Sequence, residues 1–201
     1  ASELLSFSQT PRRKIAITGA NSGVGLEGAK LLAAAGHDVI CACRTLEKAE
    51  AAAKACGGTP AVCDLADLSS VRAFAKEATG LDTLVLNAGL ALNTAEKEPR
   101  RTKEGFELTI GTNHLGHFLL YKLLKGGKVG SAATLGDLSG LRSANFDMID
   151  GGVYDPDKAY KDSKLANLMF AAEAARRLAK AGATCNSFSP GLIPSPNGFF
   201  K

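Results

Sequence analysis

The feature that most constrains the fold is an alternation of short apolar runs with alanine-rich segments of helical length. The apolar run "KIAITGA" is followed by "SGVGLEGAKLLAAAG", and the same order repeats along the first half of the chain. Strands that alternate with helices of this length favour a parallel sheet covered by helices on both faces. The sequence therefore predicts an α/β fold, a Rossmann-like doubly wound parallel sheet in a single domain.

The same pattern gives approximate bounds for the predicted elements. Apolar runs predict strands, alanine-rich runs predict helices, and glycines such as Gly36 and Gly57 end helices. The predicted strands are 14–20, 38–44, 60–65 and 81–89, and the predicted helices are 22–36, 46–58, 69–78 and the amphipathic stretch 111–124. The remaining predictions are a charged loop at 93–105, an N-terminal surface arm at 1–13, and one domain spanning 14–201.

Composition and charge argue against several classes of protein. The 201 residues, 45% hydrophobic and 22% charged, suit one soluble globular domain. The formal net charge of +4 comes from scattered basic residues, so no nucleic-acid partner is predicted. No apolar run approaches the roughly 18 residues of a membrane span. The five cysteines form no C-x-x-C pair, which predicts buried free thiols in a reducing compartment.

The segment "TGANSGVG" (18–25) lies where the first predicted strand turns into the first predicted helix. Small residues let the backbone approach a phosphate closely, and a helix N-terminus offers unpaired N–H groups and positive potential. This position in a βαβ unit favours a dinucleotide site over a plain tight turn. The predicted cofactor-binding residues of the segment are Gly19, Asn21, Ser22, Gly23, Val24 and Gly25.

Two strand ends predict which dinucleotide is bound. Arg44 ends the second strand, where an acidic side chain would suit the ribose 2′-hydroxyl of NAD and a guanidinium suits a 2′-phosphate. The predicted cofactor is therefore NADP(H), and a solvated strand-end charge is the alternative explanation of Arg44. Asp64 and Leu65 end the third strand and are included in the cofactor site, with the Asp64 carboxylate on the adenine. A simple helix cap is the alternative role for Asp64.

The hexapeptide "AYKDSK" (159–164) places Tyr160 and Lys164 one helical turn apart on one face. A neighbouring ammonium favours the phenolate, so Lys164 is expected to lower the pKa of Tyr160 and make the phenol a usable acid and base near neutral pH. We predict that Tyr160, Lys164 and Asn113 are catalytic, that Tyr160 and Lys164 also contact the cofactor, and that Lys164 holds its nicotinamide ribose. An ordinary amphipathic helix is the alternative.

Two histidines lie near Asn113 in the predicted amphipathic helix. His114 and His117 are three residues apart, so in principle they could share a metal ion. No third ligand has a suitable spacing, and the sequence therefore predicts a packed or hydrogen-bonded pair and no metal site.

The glycine spacing G-x-x-x-G-x-G resembles that of the short-chain dehydrogenase/reductase superfamily. In addition, "LNAG" (86–89) resembles the N-A-G signature that shapes the floor of the cofactor site in that superfamily. "SPGLIPS" (189–195) resembles the Pro-Gly turn after the sixth strand, with an ordinary proline-rich loop as the alternative. The residues that this resemblance assigns to the cofactor are Asn87, Ala88, Gly89, Pro190, Gly191 and Ser195.

Longer stretches resemble one group within the superfamily, the light-dependent protochlorophyllide oxidoreductases and their close relatives in photosynthetic organisms. The stretches are "EGFELTIGTNHLGHFLL", "TLGDLSGL", "MIDGG" and "KAYKDSK", and the resemblance runs from about residue 14 to residue 200. It implies reduction of a ring double bond of protochlorophyllide, a tetrapyrrole, with NADPH and light. It also implies a chloroplast location, either soluble or peripheral at the thylakoid membrane or a photosynthetic complex.

The chain departs from the pattern of that group at several places. Leu192 stands where the group has a cysteine, and Gly89 stands where the group often has an alanine. Only "KVGS" remains of the expected fifth strand, and Ser131 is the best match to the catalytic hydroxyl that ends this strand. A typical strand has about five or six residues, so the remnant is short for a central strand. The sequence also ends at Lys201, before the substrate-covering C-terminal region of the group.

These departures leave the function open between an enzyme and a binding subunit. Either internal loops of a longer chain are omitted from these 201 residues, or a shortened relative has kept the fold and lost the chemistry. The first hypothesis is an NADPH-dependent oxidoreductase, with the hydride from NADPH and the proton from Tyr160. The alternatives are a non-catalytic subunit bound to a larger, photosynthetic membrane complex, and a carbonyl reductase with another small-molecule substrate. The oligomeric state is not predicted.

Overall fold

A sheet of four parallel strands forms the centre of the computed structural model, which describes residues 11–124 and 154–189. The strands are β1 (Lys14–Thr18), β2 (Asp38–Cys43), β3 (Thr59–Val62) and β4 (Thr83–Val85), in the spatial order β3-β2-β1-β4. The order reverses at β1, and open α/β sheets bind ligands beyond the carboxyl ends of the strands at such a reversal. The predicted α/β fold with a parallel sheet is confirmed.

Helices cover both faces of the sheet. The helices are α1 (Gly23–Ala34), α2 (Leu46–Cys56), α3 (Leu68–Glu77), α4 (Leu108–Ile110), a π-helical turn (Gly111–Leu115), α5 (Gly116–Leu123), α6 (Pro156–Leu178) and a final 3₁₀ turn (Ala179–Ala181). Alternate residues of β1 point to opposite faces. Ile15 and Ile17 therefore pack in one core with buried alanines of α1 and α2, whereas Ala16 packs in the other with α3 and α5.

Local side-chain chemistry explains where three of these helices begin. The side chains of Thr45, Asp67 and Asp155 accept hydrogen bonds from backbone N–H groups in the first turns of α2, α3 and α6. Such caps contribute roughly 0.5–2 kcal/mol each because they satisfy otherwise unpaired donors. Asp67, and not Asp64, caps α3, so the capping alternative for Asp64 is wrong.

The fourth strand is much shorter than its apolar run predicts. Residues 81–89 are predicted as strand, but β4 covers Thr83–Val85. Beyond this point the backbone N–H groups of Asn87 and Ala88 donate to the Thr18 hydroxyl at 3.0 and 3.1 Å. A side chain of β1 thus replaces the backbone partner that would continue the ladder, and the chain turns away from the sheet. The other predicted strands and helices within the described ranges differ from the observed ones by a few residues at their ends.

Candidate active site

The glycine turn after β1 packs directly on the end of β4. Gly19 has a φ of +68°, and a Cβ on this residue would lie 2.9 Å from the Cα of Ala88. A Cβ on Gly25 would lie 2.4 Å from both the Gly19 carbonyl oxygen and the Asn87 Nδ2. Side chains at these two positions would therefore push the turn away from the "LNAG" segment. The structure brings these two predicted cofactor segments together.

The N-terminus of α1 is suited to an anionic group. Within the described residues no side chain caps this helix, in contrast to α2, α3 and α6. Gly23, the first residue of α1, has a φ of +53° and open space where its Cβ would stand. Unpaired N–H groups and the helix dipole attract phosphate at such a position. The residues present therefore fit the pyrophosphate of a dinucleotide.

Two alanine substitutions in α1 separate close packing from helix propensity. Gly25→Ala places a Cβ against backbone and is expected to destabilise the fold by about 1–3 kcal/mol and to weaken dinucleotide binding. Gly28→Ala meets open space in the same helix and is expected to stabilise the protein by roughly 0.5–1 kcal/mol. Urea unfolding with and without NADPH measures both effects. Equal changes in the two variants would contradict the close packing of Gly25.

The end of β2 carries basic side chains. Arg44 follows Cys43 directly and is exposed, as expected for a side chain that meets a ligand or solvent. Lys48 lies in the first turn of α2, and its positive charge acts to lower the pKa of the Cys43 thiol, which burial raises overall. Because this effect depends on proximity, Lys48 supplies a second positive charge beside the carboxyl end of β2. No motif in the sequence had pointed to this residue.

The two predicted residues at the end of β3 are positioned differently from each other. The Asp64 carboxylate accepts a hydrogen bond from Ala66 N at 3.0 Å. The backbone N–H of Asp64 donates to Ser70 Oγ at 3.0 Å. Leu65 is buried in the core, and a Cβ on Gly116 would lie 2.5 Å from its carbonyl oxygen. The loop is therefore fixed by α3 and α5, with Asp64 at its half-buried side.

A hydrogen-bonded centre formed by Thr18 links β1, β4 and the π-helical turn. His117 Nδ1 lies 3.0 Å from the carbonyl oxygen of Asn113, so this nitrogen must donate. Burial lowers the pKa of His117 to about 4, so the ring is neutral at pH 7 and its Nε2 accepts from the Thr18 hydroxyl at 2.8 Å. The Thr18 oxygen is then available to accept from Asn87 and Ala88.

Asn113 fastens three segments of the site together. Its side-chain amide nitrogen donates to Leu90 O at 2.9 Å and to Ser163 Oγ at 3.0 Å, and its Oδ1 accepts from Leu90 N at 2.8 Å. Ser163 Oγ also donates to the carbonyl oxygen of Tyr160 at 2.7 Å. Asn113 is fully buried within the π-helical turn, a local widening that is frequent at functional sites. The side chain thus joins the chain after "LNAG" to the helix that carries Tyr160 and Lys164.

Asn167 and His114 complete the contact between α6 and the π-helical turn. Asn167 Nδ2 donates to the Asn113 carbonyl oxygen at 3.0 Å, and its Oδ1 lies 3.0 Å from His114 Nδ1. Both histidines are thus hydrogen-bonded, as predicted, and they bond to different partners. In the described part of the chain, no group of three or more His, Cys, Asp or Glu residues is arranged to hold a metal ion.

Tyr160 and Lys164 lie on one face of α6, as the sequence predicts. The Lys164 Nζ is 5.3 Å from the centre of the Tyr160 ring and 3.1 Å from where a Cβ on Gly89 would stand. Burial lowers the pKa of Lys164 to about 8, and burial raises the pKa of Tyr160 above its usual value. The expected lowering of the phenol pKa is therefore wrong for this chain, because desolvation opposes the charged form of both groups.

The predicted residues fall into three sets, one of which, Arg44, Asp64 and Leu65, lies after the ends of β2 and β3. The described structure brings together the glycine turn, the "LNAG" segment, Asn113, Tyr160 and Lys164. Four predicted residues lie outside the described ranges, namely Ser131, Pro190, Gly191 and Ser195. Four residues outside the predicted site connect the set around Asn113: Thr18, Ser163, Asn167 and His117, the last of which was predicted as part of a packed or hydrogen-bonded pair. Helical spacing could have found two of them, because His117 lies four residues after Asn113 and Asn167 lies three residues after Lys164.

Comparison with known proteins places this arrangement in a family. The family model for short chain dehydrogenase matches residues 13–141. The protein is 42% identical to a chloroplastic protochlorophyllide reductase of Cucumis sativus over 228 residues, which cover 93% of this chain and 57% of that protein. It is 40% identical to retinol dehydrogenase 11 of Homo sapiens over 94% of this chain and 64% of that protein. The chain thus spans little more than half the length of the curated protochlorophyllide reductase.

A solved structure and the alignment lengths add to this comparison. The structure of an uncharacterized protein from Mycobacterium Paratuberculosis matches with a TM-score of 0.77 and 38% identity, over 95% of this chain and 74% of that one. The alignment to the Cucumis sativus protein runs over 228 positions but includes 93% of 201 residues, so that relative has additional residues inside the matched region. On the family model and this structural match, the chain belongs to the short-chain dehydrogenase family.

Proposed function

We propose that this chain is an NADPH-dependent reductase of the protochlorophyllide-reductase-like group, with residues 14–201 as its dinucleotide-binding domain. The observation that carries the proposal is the position of the Lys164 ammonium, which lies beside Gly89 and 5.3 Å from the centre of the Tyr160 ring. Asn113 ties the helix that carries both residues to the chain after "LNAG" through Ser163 and Leu90. NADPH, when bound, supplies a hydride. The chain supplies a positioned phenol, an ammonium group, and a glycine-lined surface that leads from the N-terminus of α1 to that phenol.

The residues proposed to hold NADPH follow from this geometry. The glycine turn and the N-terminus of α1 would bind the pyrophosphate, Arg44 and Lys48 the 2′-phosphate, and the Asp64–Leu65 loop the adenine. The "LNAG" segment would form the floor, and Lys164 would hold the nicotinamide ribose. By resemblance, the cofactor is also proposed to contact Pro190, Gly191 and Ser195. The Ser131 hydroxyl is proposed to take part in catalysis.

A buried ammonium supports an enzyme over a non-catalytic subunit. Lys164 is 2% exposed, and burial lowers its pKa to about 8, so folding must desolvate a charged group. A charged group buried at this cost is typical of a site that orients a substrate or tunes a proton transfer, which favours an enzyme over a scaffold. Burial also keeps the Tyr160 phenol protonated near neutral pH, which suits it to donate a proton during a reduction.

The experiment that tests the substrate uses the purified protein with NADPH and protochlorophyllide, in darkness and under illumination. Formation of chlorophyllide under illumination is the expected result. The match to retinol dehydrogenase 11 supports a second candidate, a dehydrogenase or carbonyl reductase with another substrate, and retinol with NADP⁺ tests it in parallel. Cofactor binding without turnover in either assay would count against both substrates and retain the nucleotide site.

Cofactor choice gives a separate prediction. A charged hydrogen bond between Arg44 and the 2′-phosphate should contribute about 1.5–3 kcal/mol, so Arg44→Asp is expected to weaken NADPH binding by roughly 10- to 100-fold. NADH lacks that phosphate, and its affinity should change much less. Fluorescence titration with both cofactors measures the difference. Equal losses for NADPH and NADH would remove Arg44 from the phosphate site.

A chloroplast location is proposed because the chain is similar to chloroplastic protochlorophyllide reductases. Association with the thylakoid membrane or a photosynthetic complex is proposed to be peripheral. None of the helices in the described ranges is long and apolar enough to cross a membrane. Fractionation of chloroplasts tests both points: a stromal pool, or a membrane pool released by salt, is expected. Retention after alkaline washing would contradict peripheral association.

A further inference from the structure

Two cysteines, one in β2 and one in α2, lie in contact with each other. All five cysteines are free thiols, as predicted, and four of them are buried, whereas Cys56 is half-buried. Cys41 is fully buried in the middle of β2, and Cys56 is the last residue of α2. Their Sγ atoms are 3.4 Å apart. The proposed oxidoreductase chemistry uses neither thiol.

The backbone after α2 is built closely around this pair. Gly57 ends the helix with a φ of +76°, and the chain turns back over the two sulfur atoms. A Cβ on Gly58 would lie 2.7 Å from the Val39 carbonyl oxygen, 3.1 Å from the Cys56 Sγ and 3.3 Å from the Cys41 Sγ. The close approach of this glycine holds both sulfur atoms between α2 and β2. A bonded pair of sulfur atoms is about 2.05 Å apart, so a small movement of the helix end would join them.

We propose that Cys41 and Cys56 form a reversible redox site that a small peroxide converts into an intramolecular disulfide. Cys56 attacks one peroxide oxygen, the O–O bond breaks, and the leaving hydroxide takes the thiol proton to become water. The resulting sulfenic acid at Cys56 is attacked by the Cys41 sulfur, the S–O bond breaks, and a second water leaves with the Cys41 proton. Two thiols are oxidised by two electrons, and hydrogen peroxide is reduced to two water molecules.

The burial of the two thiols sets the order of these steps. Cys56 is the member of the pair that solvent reaches, so it meets the peroxide first. Cys41 is fully buried, so a peroxide in solution does not reach its thiol. The same thiol lies in contact with Cys56 and needs only to attack the sulfenic acid beside it.

The disulfide would close a loop of about 15 residues that contains α2. Closing such a loop restricts the unfolded chain, so the oxidised protein should melt at a temperature roughly 5–10 °C higher. Arg44 and Lys48 lie inside this loop, so oxidation would also fix the part of the chain that carries the proposed 2′-phosphate site. The redox site itself requires no bound cofactor.

The test treats the folded protein with hydrogen peroxide, blocks remaining thiols with an alkylating reagent, and maps peptides by mass spectrometry. The expected result is a linked pair of peptides containing Cys41 and Cys56, the loss of two hydrogen atoms from the intact mass, and reversal by dithiothreitol. Cys56→Ser should abolish the linked peptide and the rise in melting temperature. Cys63→Ser, a change at another buried cysteine, should retain both.

Other outcomes would overturn the proposal. Separate alkylation of Cys41 and Cys56 after peroxide has consumed other thiols would show that the pair does not react as a unit. Sulfinic acid at Cys56 without a linked peptide would show that Cys41 cannot reach the sulfenic acid. The same treatment in guanidinium chloride provides the control, because a linkage specified by the fold should give way to mixed pairings after unfolding.

Discussion

Tyr160→Phe is expected to lower turnover by about 10²–10⁴-fold while NADPH still binds, because the change removes a positioned acid and keeps the ring. The ring remains packed in α6, and Ser163 contacts the main-chain carbonyl of Tyr160, not its phenol. Burial raises the pKa of the phenol, so the phenol carries its proton at neutral pH. Removing this proton donor should therefore lower turnover across the neutral pH range. Turnover at saturating NADPH, with affinity titrated separately, measures the effect.

Tyr121→Phe provides the matched control for this substitution. Tyr121 lies in α5 and packs edge-on against Phe170 at 4.9 Å between ring centres, outside the proposed cofactor surface. Removing its hydroxyl is expected to leave turnover within about twofold, because surface and peripheral substitutions usually change little. Undiminished turnover in Tyr160→Phe would reduce "AYKDSK" to a structural helix and end the catalytic assignment.

The sequence was sufficient for the parts of the site that depend on local periodicity. The alternation of apolar and alanine-rich runs predicted the parallel sheet, and the spacing of Tyr160 and Lys164 predicted their shared face on α6. The position of the glycine turn between β1 and α1 likewise follows from chain order. These features arise from the backbone geometry of one element or of two neighbouring elements, which a pattern in the sequence specifies directly.

Contacts between distant segments could not be predicted in the same way. Thr18 ends β4 through bonds to Asn87 and Ala88, which follow it by about 70 residues, so the apolar run 81–89 gave too long a strand. The direction of the pKa shift at Tyr160 also depended on burial, which the spacing to Lys164 does not report. Both errors come from considering a pair of residues without the tertiary environment that surrounds them.

Lys164→Met is expected to separate catalysis from stability. The variant should lose turnover by at least about 10²-fold and bind NADPH more weakly, because it removes both the ammonium beside the phenol and the proposed ribose contact. Combining it with Tyr160→Phe should cost less than the product of the two single losses, since the two residues act as one unit. At the same time the variant should be more stable than the parent at pH 7.

The sign of the stability change follows from the pKa of Lys164. Burial lowers this pKa from its ordinary value of 10.5 to about 8, so between these pH values the unfolded chain binds more protons than the folded one. The free energy of unfolding of the parent should therefore rise with pH from about 8 to about 10.5, and below that range the cost of the buried charge is complete. Removing the charge should add about 1–3 kcal/mol at pH 7, a gain that shrinks toward pH 10.5.

Lys161→Met is the matched control for both readouts, because the same substitution is made on the same helix outside the proposed site. Lys161 pairs with Asp157 at 2.7 Å, near the surface of α6. Losing this pair should cost at most about 0.5 kcal/mol and leave turnover unchanged. Turnover and NADPH titration at pH 7, together with denaturant unfolding from pH 7 to pH 10, cover the comparison. A Lys164→Met variant that kept its turnover, or whose stability followed pH as the parent does, would contradict a buried catalytic ammonium beside Tyr160.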